Sequence, residues 1–521
     1  MTTADEGRFA GLTHGQADWA GLRVVVAGLG VSGFAAADAL LERGARVVVV
    51  DPREDQAQRE RGIVLDTLGA DIRLGPDAVT ALPPVDDEPA ELLIVSPGWA
   101  DDEPVLAQAR TAGLPIWGEA ELAWRLRPAT GAAPWLTITG TRGKATTATM
   151  LASMLIAAGH RATAIGQAGT SLLEAVLHPS PYDVLAVQLS GFQLRWSSSL
   201  RPQSAVCLNV TGGDRADGPR AARGRVYQNA ERACVYNLAD PVTEQLVMDA
   251  EVIEGCRAVG FTLGVPAVSV LGLVEDVLCD RAFVAERRTS AAELGTLEDV
   301  RTAGGGVLAP HNIANALAAS ALARGFGVPA VAIRDGLRGY LPLPHHLTPV
   351  GLTRPVGEDA DPVAGGEVRW VDDSAATDPA AASAGLAAFE RVVWVAGGSF
   401  ASVGAVDAAE IGQRTSDLEE LVRKHQERLR AVVLIGPDRG VLREALQRHA
   451  PDVPVVDVDV AETGPVPVME VVVARAGQLA RAGDTVLLSP GFGVEPGETL
   501  DQRGHEFTAA VRTRSDVGGA S

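Results

Sequence analysis

The stretch of this chain best suited to hold an anion is Thr139-Gly140-Thr141-Arg142-Gly143-Lys144-Ala145-Thr146-Thr147. An apolar run, Trp135-Leu136-Thr137-Ile138, precedes it, and Ala148-Thr149-Met150-Leu151-Ala152 follows with helical apolar spacing. Strand, glycine loop, lysine and helix in that order make a phosphate-binding loop: N–H groups at the helix start face the phosphate oxygens and the lysine adds a mobile positive charge. The expected nucleotide contacts are Gly140, Thr141, Arg142, Gly143, Lys144, Thr146 and Thr147, with Lys144 in the catalytic role. The loop is shorter than the general Walker pattern. Directly after the lysine, where such loops place the Ser or Thr that ligates Mg²⁺, stands Ala145.

A second constellation lies nearer the N-terminus. Leu22-Arg23-Val24-Val25-Val26-Ala27 reads as a buried strand, and Gly28-Leu29-Gly30-Val31-Ser32-Gly33 as a glycine turn into a helix. The next strand, Ala45-Arg46-Val47-Val48-Val49-Val50, ends at Asp51, and Leu92-Leu93-Ile94-Val95 delivers Ser96-Pro97-Gly98. This arrangement suits a dinucleotide or a UDP moiety, with phosphates at the helix N-terminus and Asp51 on a ribose or base. Further polar tips follow apolar runs at Gly166-Gln167, Gln188-Leu189-Ser190, Asn209, Asp372-Asp373-Ser374 with Thr377, and Gly397-Gly398, while His311-Asn312 opens a helix.

The elements that must position these tips alternate strand and helix along the whole chain, which predicts α/β architecture. We expect three domains, at residues 1–130, 131–340 and 341–521, with a Gly/Pro/Ala linker between Pro128 and Pro134. The 521 residues carry a formal net charge of −21, which argues against a nucleic-acid partner and an anionic membrane surface. No apolar run is long enough to span a bilayer, and the first residues lack a secretory pattern, so a cytoplasmic location is expected. Cys207, Cys234, Cys256 and Cys279 form no C-x-x-C pair and read as reduced thiols, not as zinc ligands.

Taken in order, these landmarks resemble the Mur ligases, and within them the branch that adds D-glutamate. The resemblance covers nearly the whole chain. It rests on the Gly28–Gly33 turn, Ser96-Pro97-Gly98, Trp117-Gly118-Glu119 with Glu121-Leu122-Ala123-Trp124, and the lysine loop. Leu189-Ser190 with Phe192-Gln193-Leu194, Pro310-His311-Asn312 with Asn315, Asp372-Asp373-Ser374 with Thr377, and Leu488-Ser489-Pro490 extend it. The resemblance implies a Rossmann-like first domain for a UDP-sugar, a central P-loop ATPase-like domain for ATP and Mg²⁺, and a Rossmann-like third domain for the incoming amino acid. ATP would phosphorylate the substrate carboxylate, and the D-glutamate amine would attack the acyl phosphate. Carried over by position, Gly30, Ser32, Asp51, Ser96, Pro97, Gly98 and Gln167 would meet the UDP-sugar, His311 would be catalytic, Asn312 would meet the nucleotide, and Asp373, Ser374 and Thr377 would face the acceptor.

The chain departs from the family pattern mainly at the metal, the nucleotide and the acceptor. The loop Asn is Arg142, the hydroxyl after the lysine is Ala145, and the Mg²⁺-binding Glu is the neutral Gln188. The lysine that the family carbamylates aligns with Arg223, which stays protonated and forms no carbamate. After Asn209 the family's acidic, His-bearing loop is replaced by Thr211-Gly212-Gly213-Asp214. On the acceptor side the family's lysines fall at Ala375 and Ala401, the Asn after Thr377 is Asp378, and the Arg after His345 is His346. From this pattern we expect UDP-N-acetylmuramoyl-L-alanine, or a related UDP-sugar peptide, to bind, ATP to bind weakly, Mg²⁺ to bind weakly or not at all, and ligation to be lost or altered. The alternative is an active, divergent ligase for D-glutamate or another amino acid, supported by the retained Lys144, Thr146, His311 and Asn312. An oxidoreductase built on the glycine turn is the weaker third reading. No particular protein partner is implied.

Overall fold

The computed structural model describes residues 8–100, 102–166, 171–210, 219–301, 307–355, 366–400, 408–458, 467–495, 498–514 and 517–518. Alternation of strands and helices follows from runs of β-branched residues separated by glycine turns and capped helices. Among the described residues the strands form three sheets.

The first sheet contains β1 (Arg23–Ala27), β2 (Arg46–Asp51), β3 (Asp71–Leu74), β4 (Leu92–Val95) and β5 (Ile116–Gly118), in the order β3-β2-β1-β4-β5. All its neighbours run parallel. Val24, Val25 and Val26 are fully buried, so both faces of β1 are covered, and this is why its sequence is an unbroken apolar run. Strand order reverses between β1 and β4, which opens a crevice at their C-terminal ends.

The second sheet holds β6 (Trp135–Thr139), β7 (Ala162–Ile165), β8 (Val184–Gln188), β9 (Ser204–Cys207), β10 (Ala233–Asn237), β11 (Arg257–Phe261), β12 (Val270–Val274), β13 (Val277–Asp280) and β14 (Ala292–Thr296). Its order is β14-β13-β12-β11-β10-β9-β6-β8-β7, with only the β12–β13–β14 edge antiparallel. β6 therefore lies between β8 and β9, and the tips of those two strands flank the lysine loop.

The third sheet, β19-β18-β17-β20-β16-β15-β21, comprises β15 (Thr348–Thr353), β16 (Val368–Asp372), β17 (Val392–Gly397), β18 (Leu429–Ile435), β19 (Val455–Asp457), β20 (Thr485–Leu488) and β21 (Val517–Gly518). Here β16, β20, β17, β18 and β19 are parallel, and β15 and β21 add an antiparallel edge.

The chain divides into two compact units: residues 1–296 with 314–337, and residues 297–313 with 338–521. The first unit contains the first two sheets, joined by one apolar core. Trp124 and Trp135, on either side of the Gly/Pro/Ala stretch, meet edge to face at 5.1 Å between ring centroids. No helix among the described residues is long and apolar enough to cross a membrane.

Candidate functional site

In the first unit, the crevice at the tips of β1 and β4 is a cavity of about 690 Å³. Gly30, Ser32, Asp51, Ser96, Pro97 and Gly98 all line it, together with Arg53, Trp99 and Glu119. Gly166 and Ser190 at the second sheet's strand tips, and Gln193 in the helix that Ser190 caps, complete the wall. A Cβ on Gly33 would collide with the Gly28 carbonyl, so the turn closes only with glycine there. Asp51 lines the cavity but is almost fully buried, and its carboxylate accepts from Leu29 N at 2.6 Å and Arg53 N at 2.8 Å. Asp51 thus sets the shape of the glycine turn. Gln167 lies outside the described residues.

Glu119 is the residue that sequence reasoning passed over, although Trp117-Gly118-Glu119 was among the landmarks. It is 2 % exposed and accepts from Ser32 Oγ at 2.5 Å, Ser171 Oγ at 2.6 Å and Leu172 N at 2.7 Å. One carboxylate thereby orients the serine of the glycine turn and caps the helix Leu172–Val176 of the second sheet's layer. Ser190 and Gln193 form a reciprocal capping box at the start of the helix Gly191–Arg195.

The lysine loop opens the helix Lys144–Ala157, with Gly143 left-handed at φ 82°. A Cβ there would run into the Asn315 amide, so glycine is required by both backbone and space. Asn209, just past β9, clamps the loop: its side chain accepts from Arg142 N at 3.0 Å and donates to Arg142 O at 3.2 Å, and its carbonyl accepts from Thr141 N. Lys144 Nζ donates back to Gly140 O at 2.8 Å and Thr141 O at 3.2 Å. Burial first, and then the nearby Arg223 and Arg142 guanidinium groups, lower Lys144 to about 8, with Cys207 opposing. Thr146 is half-exposed and Thr147 buried.

The resemblance implies Mg²⁺ at this loop, but the described side chains at the family's metal positions do not fit it. Ala145 has no donor atom, Gln188 offers a buried neutral amide at the end of β8, and Arg223 brings a positive charge near Lys144. Among the described residues no group of three or more His, Cys, Asp or Glu is placed to hold a metal. The segment Thr211 to Gly218 lies outside the described residues.

His311 and Asn312 begin the helix Pro310–Phe326 and belong to the second unit, whereas Asn315 belongs to the first. Burial, with His346 adding to it, lowers the His311 imidazole to about 4, so it is neutral at pH 7.

At the tips of the third sheet, Asp373 is buried and accepts from Ser489 Oγ at 2.8 Å and Leu347 N at 3.2 Å. Asp372 accepts from Ser374 N at 2.9 Å and pairs with His345 Nδ1 at 2.6 Å. Ser374 is buried, and Thr377 N donates to Ala375 O at 3.0 Å. These carboxylates hold the β16 tip together. Ala401 lies outside the described residues.

Burial raises Asp373 to about 8, against a usual carboxylate value near 3.9 in an unfolded chain. The folded protein therefore holds a proton that the unfolded chain releases above about pH 4, and stability falls as pH rises from there to about 8. Asp373→Asn is expected to flatten that decline, worth on the order of a few kcal/mol. Denaturant midpoints at pH 5 and pH 8 measure it; an unchanged pH slope in the variant would refute the assignment.

Residues 22–118 match the family model described as Mur ligase MurD-like, N-terminal domain. The chain is 49% identical over 502 residues to the UDP-N-acetylmuramoylalanine–D-glutamate ligase of Streptomyces avermitilis, covering 95% of this chain and 99% of that protein. It is 45% identical over 534 residues to the ligase of the same name from Leifsonia xyli, covering 98% and 96%. Among solved structures, a pseudomurein peptide ligase type C from Methanothermus fervidus superposes with a TM-score of 0.52 at 15% identity, over 94% of this chain and 99% of that one, which is a likeness of fold. Matches that run the length of both chains to proteins named as ligases favour the active, divergent ligase over the reading in which ligation is lost. The chain belongs to the Mur ligase family, in its MurD-like branch.

Proposed function

We propose that this protein is a divergent amide-forming ligase acting on UDP-N-acetylmuramoyl-L-alanine or a closely related UDP-sugar peptide. The observation that carries the reading is the cavity of about 690 Å³ at the β1–β4 crevice, with Ser190 of the second sheet in its wall. A UDP-sugar anchored on Gly30, Ser32 and Ser96 would project its peptide carboxylate toward the strand tips beside the lysine loop. There Lys144, Arg142 and Arg223 would neutralise a nucleotide's phosphates, and the reaction would release ADP as the amide forms. Residues 1–130 would then serve the UDP-sugar, 131–340 the nucleotide and 341–521 the acceptor, in the cytoplasm. With alanine at 375 and 401, the acceptor site lacks the lysines that would repay the desolvation of a dicarboxylate, so a less acidic amino acid than D-glutamate is favoured.

A second reading, a sensor that binds the UDP precursor without ligating it, is favoured by one specific observation: Ala145, Gln188 and Arg223 together remove the donors a magnesium nucleotide needs. Incubating the purified protein with ATP, UDP-N-acetylmuramoyl-L-alanine and a panel of amino acids separates the two. Substrate-dependent ADP release with a new amide product supports the ligase. UDP-sugar binding without product supports the sensor. Both readings expect UDP-N-acetylmuramoyl-L-alanine to raise the melting temperature, since ligand at a hundred times Kd stabilises by about 2.7 kcal/mol. No shift at millimolar ligand would refute both.

A further inference from the structure

Away from both sites, β10 and the turn before β11 bring two thiols together. Cys234 is buried in β10, and Cys256, half-exposed, immediately precedes β11. The strands are parallel neighbours with Cys234 opposite Ala258, so Cys256 lies diagonally across from Cys234. The two Sγ atoms are 3.7 Å apart. We propose that Cys234 and Cys256 form a modification site, a dithiol that a peroxide converts to an intramolecular disulfide.

Several features suit the pair to this chemistry. The two side chains converge, and their sulfurs are already in contact, about 1.7 Å from bonding distance. Cys256 reaches solvent, whereas Cys234 is shielded, which separates the thiol that meets the oxidant from the one that resolves it. The two sulfurs share one hydrogen bond, which lowers Cys256 and raises Cys234, so the pair holds its thiolate on the solvent side. The thiolate attacks a peroxide oxygen, the O–O bond breaks, and Cys256 becomes a sulfenic acid as water or an alcohol leaves. The Cys234 sulfur then attacks the sulfenic sulfur, the S–O bond breaks, and water departs with the Cys234 proton. Two thiols lose two electrons in all, and the peroxide gains them.

The bond would close a loop between cysteines 22 positions apart that contains the helix Pro241–Met248. Asp240 caps that helix and also accepts from Val210 N at 2.6 Å, one residue past the Asn209 clamp of the lysine loop. Oxidation would therefore staple the part of the second sheet that backs the loop, stabilising it by restricting the unfolded chain.

The test treats the full-length protein with equimolar hydrogen peroxide, blocks remaining thiols under denaturing conditions and maps the peptides. The expected product is a Cys234–Cys256 linked pair, about 2 Da lighter than the two thiol peptides, with Cys207 and Cys279 alkylated. A melting temperature roughly 3–6 °C higher, reversed by dithiothreitol, should accompany it. Cys256→Ser should abolish the link, and Cys234→Ser should leave a Cys256 sulfenic acid that dimedone traps. Cys256 carried on to sulfinate with no linked pair in the unmodified protein, or intermolecular Cys256 dimers as the main product, would overturn the proposal.

Discussion

ATP is expected to bind this protein with nearly the same affinity in EDTA as in millimolar Mg²⁺, within about threefold, and the variant Ala145→Thr/Gln188→Glu/Arg223→Lys to gain a hundredfold or more from the metal. The argument is a change of charge at one place. Relative to the family pattern, Gln188 removes one negative charge, and Arg223 puts a positive charge where the pattern has a carbamate. That is a local shift of about three positive charges beside Lys144, where Arg223 already acts electrostatically on the lysine. Guanidinium groups can hold phosphate oxygens bidentately, so the nucleotide loses its metal bridge but keeps its counter-charge. Binding through such groups should weaken with salt. Calorimetric titration of ATP with and without Mg²⁺ decides it, the variant being measured in bicarbonate so that its lysine can carbamylate. A tenfold or greater Mg²⁺ gain in the unmodified protein would defeat the argument.

The second large effect is expected from Glu119→Ala. Three donors, the Ser32 and Ser171 hydroxyls and the Leu172 N–H, converge on this buried carboxylate. Removing it leaves buried donors without an acceptor and opens a void, which together cost about 3–5 kcal/mol. The same change frees Ser32 in the β1–β4 crevice, so UDP affinity should fall about tenfold or more. Glu119→Gln keeps one acceptor oxygen and the volume, and should recover most of the stability. Thermal melting and UDP titration of both variants measure these effects. A Glu119→Ala protein that melts and binds like the unmodified one would rule out the carboxylate as the join between the two sheets.

What these variants probe was unequally visible beforehand. The lysine loop, the glycine turn and the strand tips were legible because strand periodicity and turn chemistry are local: a run such as Val24-Val25-Val26 must be buried on both faces, and the chain must turn at Gly28. The family was legible because many such landmarks occur in order. Charge bookkeeping at Ala145, Gln188 and Arg223 also needs only the sequence.

Contacts between residues far apart in the chain were decided only by tertiary packing. Asp51 could be read as an acid at a strand tip, yet its oxygens face Leu29 N and Arg53 N, because β2 lies beside β1 in register. Glu119 sits 52 residues from Ser171 and 87 from Ser32, and no local pattern says that one carboxylate serves both. The Asn209 clamp on Arg142 exists because β9 neighbours β6, a strand order that periodicity does not encode. Cys234 and Cys256 have no motif spacing, and only the β10–β11 pairing brings their sulfurs into contact. By itself the sequence determined the strands that carry the glycine turn and the lysine loop, where they turn and which family the landmarks compose. The tertiary structure decided which of the polar groups at those turns line a cavity and which face one another, because buried donors and acceptors must pair across whatever neighbours the packing supplies.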